Sequence, residues 1–559
     1  MYIHHHPFTP QYSMKYILSL LAALIALPSW ACTSFLVGKK ASTDGSTFIT
    51  YNADSYGMYG SMRFLPGGSH PKGTMRTIID GDSNKYLGEI PEAPVTYTVI
   101  GQINEHQVSI TETTFGGRAE LDGKYEGIDY VSLMTLGLQR SRTAREAIQV
   151  MTSLVEKYGY ASEGESFSIA DPNEIWIMEM IGKGTGRKGA VWVAIRIPDD
   201  CIAAHANQSR IHKFNLKDKD NVIAARDVIS FARKQGYFSG KDEEFSFADA
   251  YSPADFSALR FCEARAWSFY NKWVDGMEKY LPAVDGHHIG QTEPMPLYFK
   301  PKRKLSLEDL MASNRDHYEG TPFDVTKDAG AGIGEMPYRP TPLTWECDGK
   351  KYFNERPIST QQSAFTVICQ MRAHLPNAIG GILWWGNDDP NMIAYTPVYC
   401  QNTSIPLCYN DPEADAVTFS WNSAFWVCNW VANMTYPRYN QLFPALEKQR
   451  NALEKKFIQD TKNVEAEAQT LLSSDPAAAR QRLTEFSNES ARYMMRKWRD
   501  LGQYMIVKFN DMTIKPEDAD GQFSRTPDGF GATPKRPGYT DEYKRVIIRE
   551  TGEKYRIPE

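Results

Sequence analysis

The sequence predicts an α+β fold in which two antiparallel sheets pack between layers of helices. β-rich runs occur in groups, first over residues 33–37 and 46–51 and later over residues 166–197. A helical pattern over residues 143–159 separates these groups. After residue 440 the pattern changes to long amphipathic helices. We therefore expect a four-layer αββα body with a helical extension at its C-terminal end.

Composition describes a large globular chain. It has 559 residues, of which 42% are hydrophobic and 12% aromatic, and its net charge is −6. A weakly acidic chain without a basic stripe excludes nucleic acid as an expected partner. The eight cysteines form no CxxC pair, so we predict no metal site and no cofactor. Cys400 and Cys408 lie close in sequence and are the candidate disulfide pair.

Residues 14–31 have the features of a secretory signal peptide. Lys15 supplies a positive start, residues 17–27 form an apolar run, and Ser29 and Ala31 are small residues at −3 and −1 of a cleavage site. The apolar run is shorter than the ~20 residues that span a bilayer, and no later segment qualifies as an integral membrane segment. The sequence predicts cleavage after Ala31 and export to the periplasm or the extracellular space.

Cleavage at this point makes Cys32 the first residue, with a thiol and a free α-amine on one residue. An α-amine has a pKa of ~7.7–8.0, so it can accept the thiol proton near neutral pH. This is the logic of hydrolases with an N-terminal nucleophile. Two other interpretations stay open. Cys32 is either the lipid-anchored first residue of a lipoprotein, which Trp30 at −2 fits poorly, or an ordinary core or disulfide cysteine.

The residues after Cys32 predict a β-hairpin. Its two strands are residues 33–37 and 46–51, joined by a segment that contains Asp-Gly. In that register position 32 pairs close to position 52, so Asn52 and Asp54 return beside the cysteine. The Asp54 carboxylate can hold the α-amine, and Asn52 can position substrate. The alternative for Asp54 is a role in capping the next turn.

Residues 32–46, CTSFLVGKKASTDGS, resemble the start of the C69 dipeptidases, which are related to choloylglycine hydrolase and penicillin V acylase. The resemblance extends to about residue 510. It implies the αββα fold of N-terminal-nucleophile hydrolases and dipeptides as substrates. Many members carry Arg-Asn-x-Asp at the end of the second strand, where this chain has YNAD at 51–54. Tyr51 therefore replaces an arginine whose charge a phenol cannot supply, and we place Tyr51 with Asn52 as substrate-binding candidates.

The resemblance implies three further site residues. Asn104 is expected to face the reacting carbonyl and donate to the oxyanion, with a hairpin-turn role as the alternative. Asn207 matches the family asparagine that contributes an oxyanion donor. Arg260, in the stretch SALRF, is expected to reach the nucleophile, favour the thiolate and orient Asp54. The alternative places Arg260 on a solvated helix face, an interpretation that fits Arg265 better.

Other polar residues are weaker candidates. His205 is expected to be a structural hydrogen-bonding residue, because the α-amine makes a second base unnecessary. Asp388 and Asp389 are interpreted as a turn rather than a cation site. Acidic side chains between residues 285 and 440 are an alternative, as holders of the free amino group of a short peptide.

The predicted organisation has four segments: upstream residues and signal peptide (1–31), catalytic domain (32–440), helical extension (441–511) and polar tail (512–559). The extension is expected to be an antiparallel helical pair, with Pro476 starting the second helix. It either covers the catalytic domain or forms a subunit contact in a homo-oligomer.

Three functional hypotheses follow. The leading one is an exported cysteine dipeptidase acting through a thioester at Cys32. The second is an acylase on non-peptide amides of the bile-salt or penicillin V type. The third is a non-catalytic surface lipoprotein, for which lipidation of the Cys32 amine would remove the base.

Overall fold

The structure is a computed structural model that describes residues 32–559. The predicted signal peptide and the residues before it lie outside this range. Two large antiparallel sheets are built from strands whose two faces are both buried, such as those at residues 47–54 and 175–182. The strands are β1 (Ser34–Val37), β2 (Thr47–Asp54), β3 (Phe64–Leu65), β4 (Gly68–Ser69), β5 (Met75–Ile79), β6 (Tyr86–Pro91), β7 (Val95–Thr96), β8 (Val99–Ile100), β9 (Ile103–Asn104), β10 (Ser109–Gly116), β11 (Gly164–Ala170), β12 (Ile175–Gly182), β13 (Ala190–Ile197), β14 (Ile202–His205), β15 (Val222–Ala224), β16 (Tyr298–Phe299), β17 (Thr344–Cys347), β18 (Lys350–Phe353), β19 (Ser363–Met371), β20 (Ile382–Asn387) and β21 (Thr396–Tyr399).

The first sheet has seven strands in the order β16-β14-β1-β2-β19-β20-β21, and the second has eight in the order β15-β13-β12-β11-β10-β9-β8-β3. The sheets contact each other through β1 and β2 on one side and β10 to β12 on the other. The Thr47 hydroxyl, for example, donates across to the Asp171 carbonyl at 2.7 Å. Strands in this position are buried on both faces, which explains their nearly continuous apolar sequence.

The helices are α1 (Tyr130–Gln139), α2 (Ala144–Tyr158), α3 (Val228–Gln235), α4 (Phe247–Tyr251), α5 (Ala264–Trp273), α6 (Leu281–Val284), α7 (Leu307–Asn314), α8 (Asn377–Gly380), α9 (Ala424–Thr435), α10 (Tyr439–Leu472), α11 (Pro476–Phe509) and α12 (Asp541–Thr551). Helices α1 and α2 pack on the eight-stranded sheet, whereas α5, α7 and α9 to α11 pack on the seven-stranded sheet. The predicted α+β class is confirmed.

The N-terminal hairpin has the predicted register. Leu36 pairs with Ile49, and the backbones of Thr33 and Asn52 form an antiparallel bridge with N···O distances of 3.1 and 2.9 Å. The residue before Thr33 therefore lies opposite the end of β2. This pairing brings Cys32 next to the last residues of β2.

The predicted helix at 143–159 is also confirmed. The Thr143 side chain caps α2 by accepting a hydrogen bond from the Glu146 amide, and Gly159 ends the helix with a φ of 98°. Ala147, Met151 and Val155 form the buried stripe that faces the sheet. The cap and the apolar spacing both depend on residues close in sequence, so the bounds and buried face of α2 could be predicted from the sequence.

The long C-terminal helices α10 and α11 form the predicted antiparallel pair. The Asp475 carboxylate caps α11, and Pro476 is its first residue. Two ion pairs join α10 to the body, Arg315 with Glu454 and Arg372 with Glu465. All described residues belong to one compact unit, and the division at residue 440 stays a prediction.

Three features differ from the sequence-based expectations. β5 and β6 form a hairpin within residues 55–93, a Gly-, Ser- and Pro-rich segment whose composition favours loops, and α12 forms within the predicted polar tail, where the Thr540 side chain caps it. No disulfide joins Cys400 and Cys408, because all eight cysteines, which lie within residues 32–559, have free thiols. Among the helices of this range, none is both long and apolar enough to cross a bilayer.

Candidate active site

Cys32 lies directly before β1, at the place where the two sheets meet. Its side chain is buried, with 2% of the residue exposed. The sulfur lies 3.6 Å from the hydroxyl of Tyr51 and 3.8 Å from Oε1 of Glu112. Tyr51 comes from β2 of the first sheet and Glu112 from β10 of the second. The thiol is thus enclosed by residues of both sheets.

A pair of buried carboxyl groups forms one wall beside this thiol. In the register of β10 and β11, Glu112 is opposite Phe167, so Glu165 is its diagonal neighbour on the same face. Tyr51 donates to Glu112, and the Thr114 hydroxyl donates to Glu165 at 2.8 Å. Both carboxyl groups are only 1% exposed. The wall combines acidic and phenolic groups in a site closed to solvent.

Two buried oxygens of this pair, Glu112 Oε2 and Glu165 Oε2, have no hydrogen-bond partner among the described residues. Burial raises the pKa of both carboxyls, and the charge of Glu112 raises the pKa of Glu165 further, well above its usual value. Glu165 is therefore the carboxyl of the pair that is protonated more readily, and Glu112 is the one that keeps its negative charge more readily.

The Cys32 thiol is protonated in this environment. Burial raises its pKa well above the usual value, and the negative charges of Glu112 and Asp54 raise it further. The hydrogen bonds that the sulfur forms with the Asp54 backbone amide and with the Tyr51 hydroxyl act in the opposite direction but are smaller effects. A base must therefore remove the proton before the sulfur can attack a carbonyl.

Arg265, in the first turn of α5, organises the other side of the site. Its guanidinium donates to the Cys32 carbonyl at 2.6 Å and to the Thr33 hydroxyl at 2.7 Å. The same group donates to the Ala206 carbonyl at 3.0 Å and to Asn207 Oδ1 at 2.9 Å. Arg265 thus ties the nucleophile to the loop that follows β14, and it is 1% exposed rather than solvated.

The prediction for Arg260 was wrong. Arg260 pairs with Glu355, donates to the Asp285 carbonyl at 3.3 Å and lies over the ring of Phe323. It sits in a π-helical turn at Ala258–Glu263, before α5. The contacts of the two arginines show that they point in different directions, Arg260 to Glu355 and Arg265 to Cys32. The face that carries Arg265 is the one that meets Cys32.

Asp54 lies beside Cys32, as the hairpin register predicts, but its partner differs from the expected one. Its carboxylate accepts hydrogen bonds from Arg356 and from the Ser363 hydroxyl, which lies opposite it on β19. Asp54 ends a strand and does not cap a turn. Arg356 has no recognisable sequence signal, because it lies in an irregular Pro-rich segment. Asp54 and Arg356 form a neutralised ion pair next to the site.

The side chains of Tyr51 and Asn52 lie on opposite faces of β2. Successive side chains of a strand point to opposite faces, and Tyr51 takes the face toward Cys32. Asn52 therefore points into the opposite layer, where it accepts from Thr366 at 2.6 Å and donates to the Asn314 carbonyl at 3.3 Å. The predicted role of Asn52 in substrate binding is wrong, because its side chain does not face the nucleophile.

Asn207 lies on the loop after β14, next to Arg265. Its φ of 63° is left-handed, a conformation that asparagine tolerates better than most residues. Its side-chain amide donates to the Thr114 carbonyl at 2.7 Å while its Oδ1 accepts from Arg265. The buried Glu179 fixes this loop by accepting hydrogen bonds from the Ser209 hydroxyl and from the backbone amides of the next two residues.

Asn104 does not face the nucleophile as predicted. Both hydrogens of its side-chain amide are used, by the carbonyls of Leu138 at 2.7 Å and Ser141 at 2.8 Å. Its Oδ1 accepts from the amides of His106 and Val108. With every donor and acceptor satisfied inside a turn, Asn104 has no hydrogen to offer an oxyanion. The alternative, an asparagine that builds the hairpin turn, is the observed one.

His205 is structural, as expected. Its ring nitrogens contact the hydroxyls of Thr113 and Ser168, both at 2.7 Å. Burial, followed by the positive charge of Arg210, lowers the pKa of His205 to about 3. Within residues 32–559, no group of three or more His, Cys, Asp or Glu side chains is arranged to hold a metal ion. Asp388, with a φ of 82°, lies in the predicted turn.

Comparison with known proteins agrees with this geometry. The profile of Peptidase family C69 matches residues 31–67 and 62–452. The "Probable dipeptidase" of Salmonella dublin is 27% identical over 406 residues, covering 69% of this chain and 85% of the relative. "Dipeptidase A" of Lactobacillus helveticus is 28% identical over 447 residues, covering 75% and 85%. "Probable dipeptidase B" of Streptococcus pyogenes serotype M1 is 25% identical over 504 residues, covering 85% and 93%.

The family profile spans well over half of the chain. It begins next to Cys32 and includes both sheets, Glu112, Arg265 and Asp54. The chain therefore belongs to peptidase family C69, a family of peptide-bond hydrolases.

Proposed function

We propose that this protein is an exported dipeptidase whose nucleophile is the thiol of an N-terminal Cys32. The observation that carries the proposal is the position of this thiol. It is enclosed by Tyr51 and Glu112 on one side, and Arg265 links its backbone to Asn207 on the other. The relatives named dipeptidases support dipeptides as the substrate class.

The fold supports the same proposal. Two stacked antiparallel sheets with helices packed on each agree with the four-layer αββα arrangement of N-terminal-nucleophile hydrolases. Such a hydrolase needs its nucleophile at the start of a central strand, and Cys32 precedes β1, which lies between β14 and β2. Removal of residues 14–31 by cleavage after Ala31 frees the α-amine of Cys32.

The proposed reaction has two steps. The α-amine takes the thiol proton, and the sulfur attacks the peptide carbonyl carbon to form a C–S bond. The C–N bond then breaks, and the proton passes from the α-ammonium to the leaving amine. In the second step the α-amine activates water, which attacks the thioester. The products are two free amino acids and the regenerated thiol.

Asn207 and Arg265 serve the oxyanion side of this reaction. Asn207 is the proposed donor to the oxyanion. Arg265 positions the Asn207 side chain, because the guanidinium that donates to the Cys32 carbonyl also donates to Asn207 Oδ1. A preorganised donor of this kind is worth about 3–4 kcal/mol in the transition state. Asp54, neutralised by Arg356, positions the strand end and presents its backbone amide to the thiol.

The test begins with the mass and N-terminal sequence of the exported protein. We expect a start at unmodified Cys32, whereas a diacylglycerol on its sulfur would block the nucleophile and refute the mechanism. Dipeptide hydrolysis is then compared for the wild type, Cys32→Ser and Cys347→Ser. Because Cys347 is exposed, its loss should leave the rate unchanged, whereas Cys32→Ser should lower kcat/KM at least about a thousandfold. Full activity of Cys32→Ser would contradict the proposal.

A further inference from the structure

We infer that Glu112 binds the α-ammonium group of the substrate's N-terminal residue and so confines cleavage to the peptide bond next to a free amino terminus. The inference rests on the proposed function, because it places the same substrate at Cys32. It assigns a specificity residue to the wall formed by Glu112, Glu165 and Tyr51.

The first argument is the charge of this wall. Glu112 is 1% exposed, and its hydrogen-bonding neighbours are the Tyr51 hydroxyl and the Cys32 thiol, which are both neutral groups. Within residues 32–559, no basic side chain forms an ion pair with Glu112 or Glu165. A buried charge without a counter-charge is costly. A cationic ligand group at Glu112 would remove that cost.

The comparison with Asp54 sharpens this argument. Both carboxylates lie beside Cys32 and raise the pKa of its thiol. Asp54 is neutralised by Arg356 and bonded to Ser363. Among the described residues, Glu112 has no such ion-pair partner, and its Oε2 accepts no hydrogen bond. Glu112 is therefore the carboxylate at the nucleophile whose charge is left for a ligand.

The distances fit an α-amino acid. Glu112 Oε1 lies 3.8 Å from the attacking sulfur. Standard backbone geometry separates the α-nitrogen of an amino acid from its own carbonyl carbon by about 2.5 Å. A carbonyl carbon in contact with the sulfur thus places its α-ammonium within hydrogen-bonding reach of Glu112. An acylated amine or the preceding residue of a longer peptide would replace that ammonium by a neutral amide.

The electrostatic surroundings extend the same preference. The Tyr130 hydroxyl donates to Asp82 at 3.1 Å, and both belong to the wall behind Glu112 and Glu165. Burial, followed by the charges of nearby carboxylates that include Glu112, raises the pKa of Asp82 to about 7. The charge of Glu112 therefore acts on Tyr130 and Asp82 as well as on Cys32.

Tyr51 has a specific part in this arrangement. A guanidinium at position 51 would contact Glu112 and neutralise it. The phenol of Tyr51 donates a hydrogen bond to Glu112 but leaves its charge in place. The departure from the family pattern thus makes Glu112 available to a substrate ammonium.

The test compares a dipeptide with its des-amino analogue, in which hydrogen replaces the α-amino group. We expect the wild type to prefer the dipeptide by at least about 100-fold in kcat/KM, the size typical of a buried hydrogen-bonded charge pair. Glu112→Gln should reduce this ratio to less than about tenfold by slowing only the dipeptide. Glu163→Gln is the matched control, because Glu163 is exposed and two residues from Glu165. It should keep the wild-type ratio.

Two results would overturn the inference. An unchanged ratio in Glu112→Gln means that another group binds the ammonium. Equal losses for both substrates mean that Glu112 serves Cys32 or its own α-amine. Should Glu112→Gln fail to fold, Tyr51→Arg provides a second variant, which keeps Glu112 but neutralises it. We expect Tyr51→Arg to lose the preference for the free amine, and retention of the full preference would contradict us.

Binding to the processed Cys32→Ala protein separates this inference from the proposed reaction. Calorimetry should show the dipeptide binding at least about 100-fold more tightly than its des-amino analogue, with the difference lost when Glu112→Gln is added. This binding pattern, combined with a wild type that hydrolyses no dipeptide, would refute the proposed reaction and leave the ammonium site standing. Equal binding of the two ligands would refute the ammonium site whatever the rate of hydrolysis.

Discussion

Replacement of Arg265 by methionine is the perturbation that tests the architecture of the site most directly. Arg265 donates to Cys32, Thr33, Ala206 and Asn207 from one buried guanidinium. Methionine has a similar length, keeps the apolar contacts of the stem and donates no hydrogen bond. The variant therefore removes the link between the nucleophile and the proposed oxyanion donor.

The expected loss of stability follows from these contacts. The guanidinium also donates to the Phe261 carbonyl at 2.7 Å. Each hydrogen bond from a charged donor contributes about 1.5–3 kcal/mol, so five such bonds set an upper limit of about 7.5–15 kcal/mol. Removal of the guanidinium also relieves its desolvation cost of several kcal/mol. We expect a net loss of about 3–5 kcal/mol in the free energy of unfolding, the range found when one partner of a buried charged network is removed.

Activity should fall as well, because Asn207 loses the contact that fixes its side chain. We expect kcat/KM for a dipeptide to drop by about 10²–10³, the effect of losing one oxyanion donor. Urea unfolding gives the stability change, and initial rates at a temperature where both proteins are folded give the activity.

Arg260→Met is the matched control for this experiment. Arg260 is bonded to Glu355 and lies away from the nucleophile. Its loss should keep kcat/KM within about threefold of the wild type. Comparable losses of activity in both variants, or an Arg265→Met enzyme with wild-type kcat/KM, would refute the assignment.

Two further predictions concern residues that support the fold. Asn104→Ala should lower the free energy of unfolding by about 2–3 kcal/mol, because four buried hydrogen bonds are lost, but should leave kcat/KM unchanged; a loss of activity in the folded variant would restore Asn104 as an oxyanion donor. His205 has a folded pKa of about 3 against 6.5 when unfolded, so below pH 6.5 the unfolded state binds a proton that the folded state does not. Between pH 6.5 and about 4, each unit by which the pH is lowered should therefore reduce the free energy of unfolding by about 1.4 kcal/mol. Urea unfolding at pH 7, 6 and 5 should show a shallower decline in His205→Asn, and equal slopes would contradict the lowered pKa.

Local signals made several parts of the fold predictable from sequence. The turn between the first two strands fixed the register that brings Asp54 to Cys32. The Thr143 cap and Gly159 end defined α2, and Asp475 with Pro476 defined the start of α11. In each case the deciding interactions lie within a few residues along the chain.

The predictions that failed concern side chains whose orientation depends on contacts between segments distant in sequence. Tyr51 and Asn52 are adjacent, and which of them faces the thiol depends on how β2 is stacked between two layers. Arg260 and Arg265 share a helix, and the choice between them depends on which face meets Cys32. Their sequence neighbourhoods contain no information about that packing.

Glu112 left one signal that sequence reasoning missed. It is an acidic residue within β10, whose neighbours Thr111 and Thr113 are completely buried. Charged residues are rarely buried without a partner. An ionisable side chain in a strand buried on both faces is therefore a useful indicator of a functional group.

The pairing of β2 with β19 has a consequence for how the protein is made. Asp54 lies opposite Ser363, and β2 is an inner strand only when β19 has been added. Helices α10 and α11 then cover this sheet from residues 439–509. A nascent chain that has released its first 300 residues from the ribosome thus holds Cys32 with Tyr51, Glu112 and Arg265 but lacks β19 and the Arg356 partner of Asp54. We expect the cysteine to become competent only when synthesis is nearly finished, so that an interrupted chain has no peptidase activity.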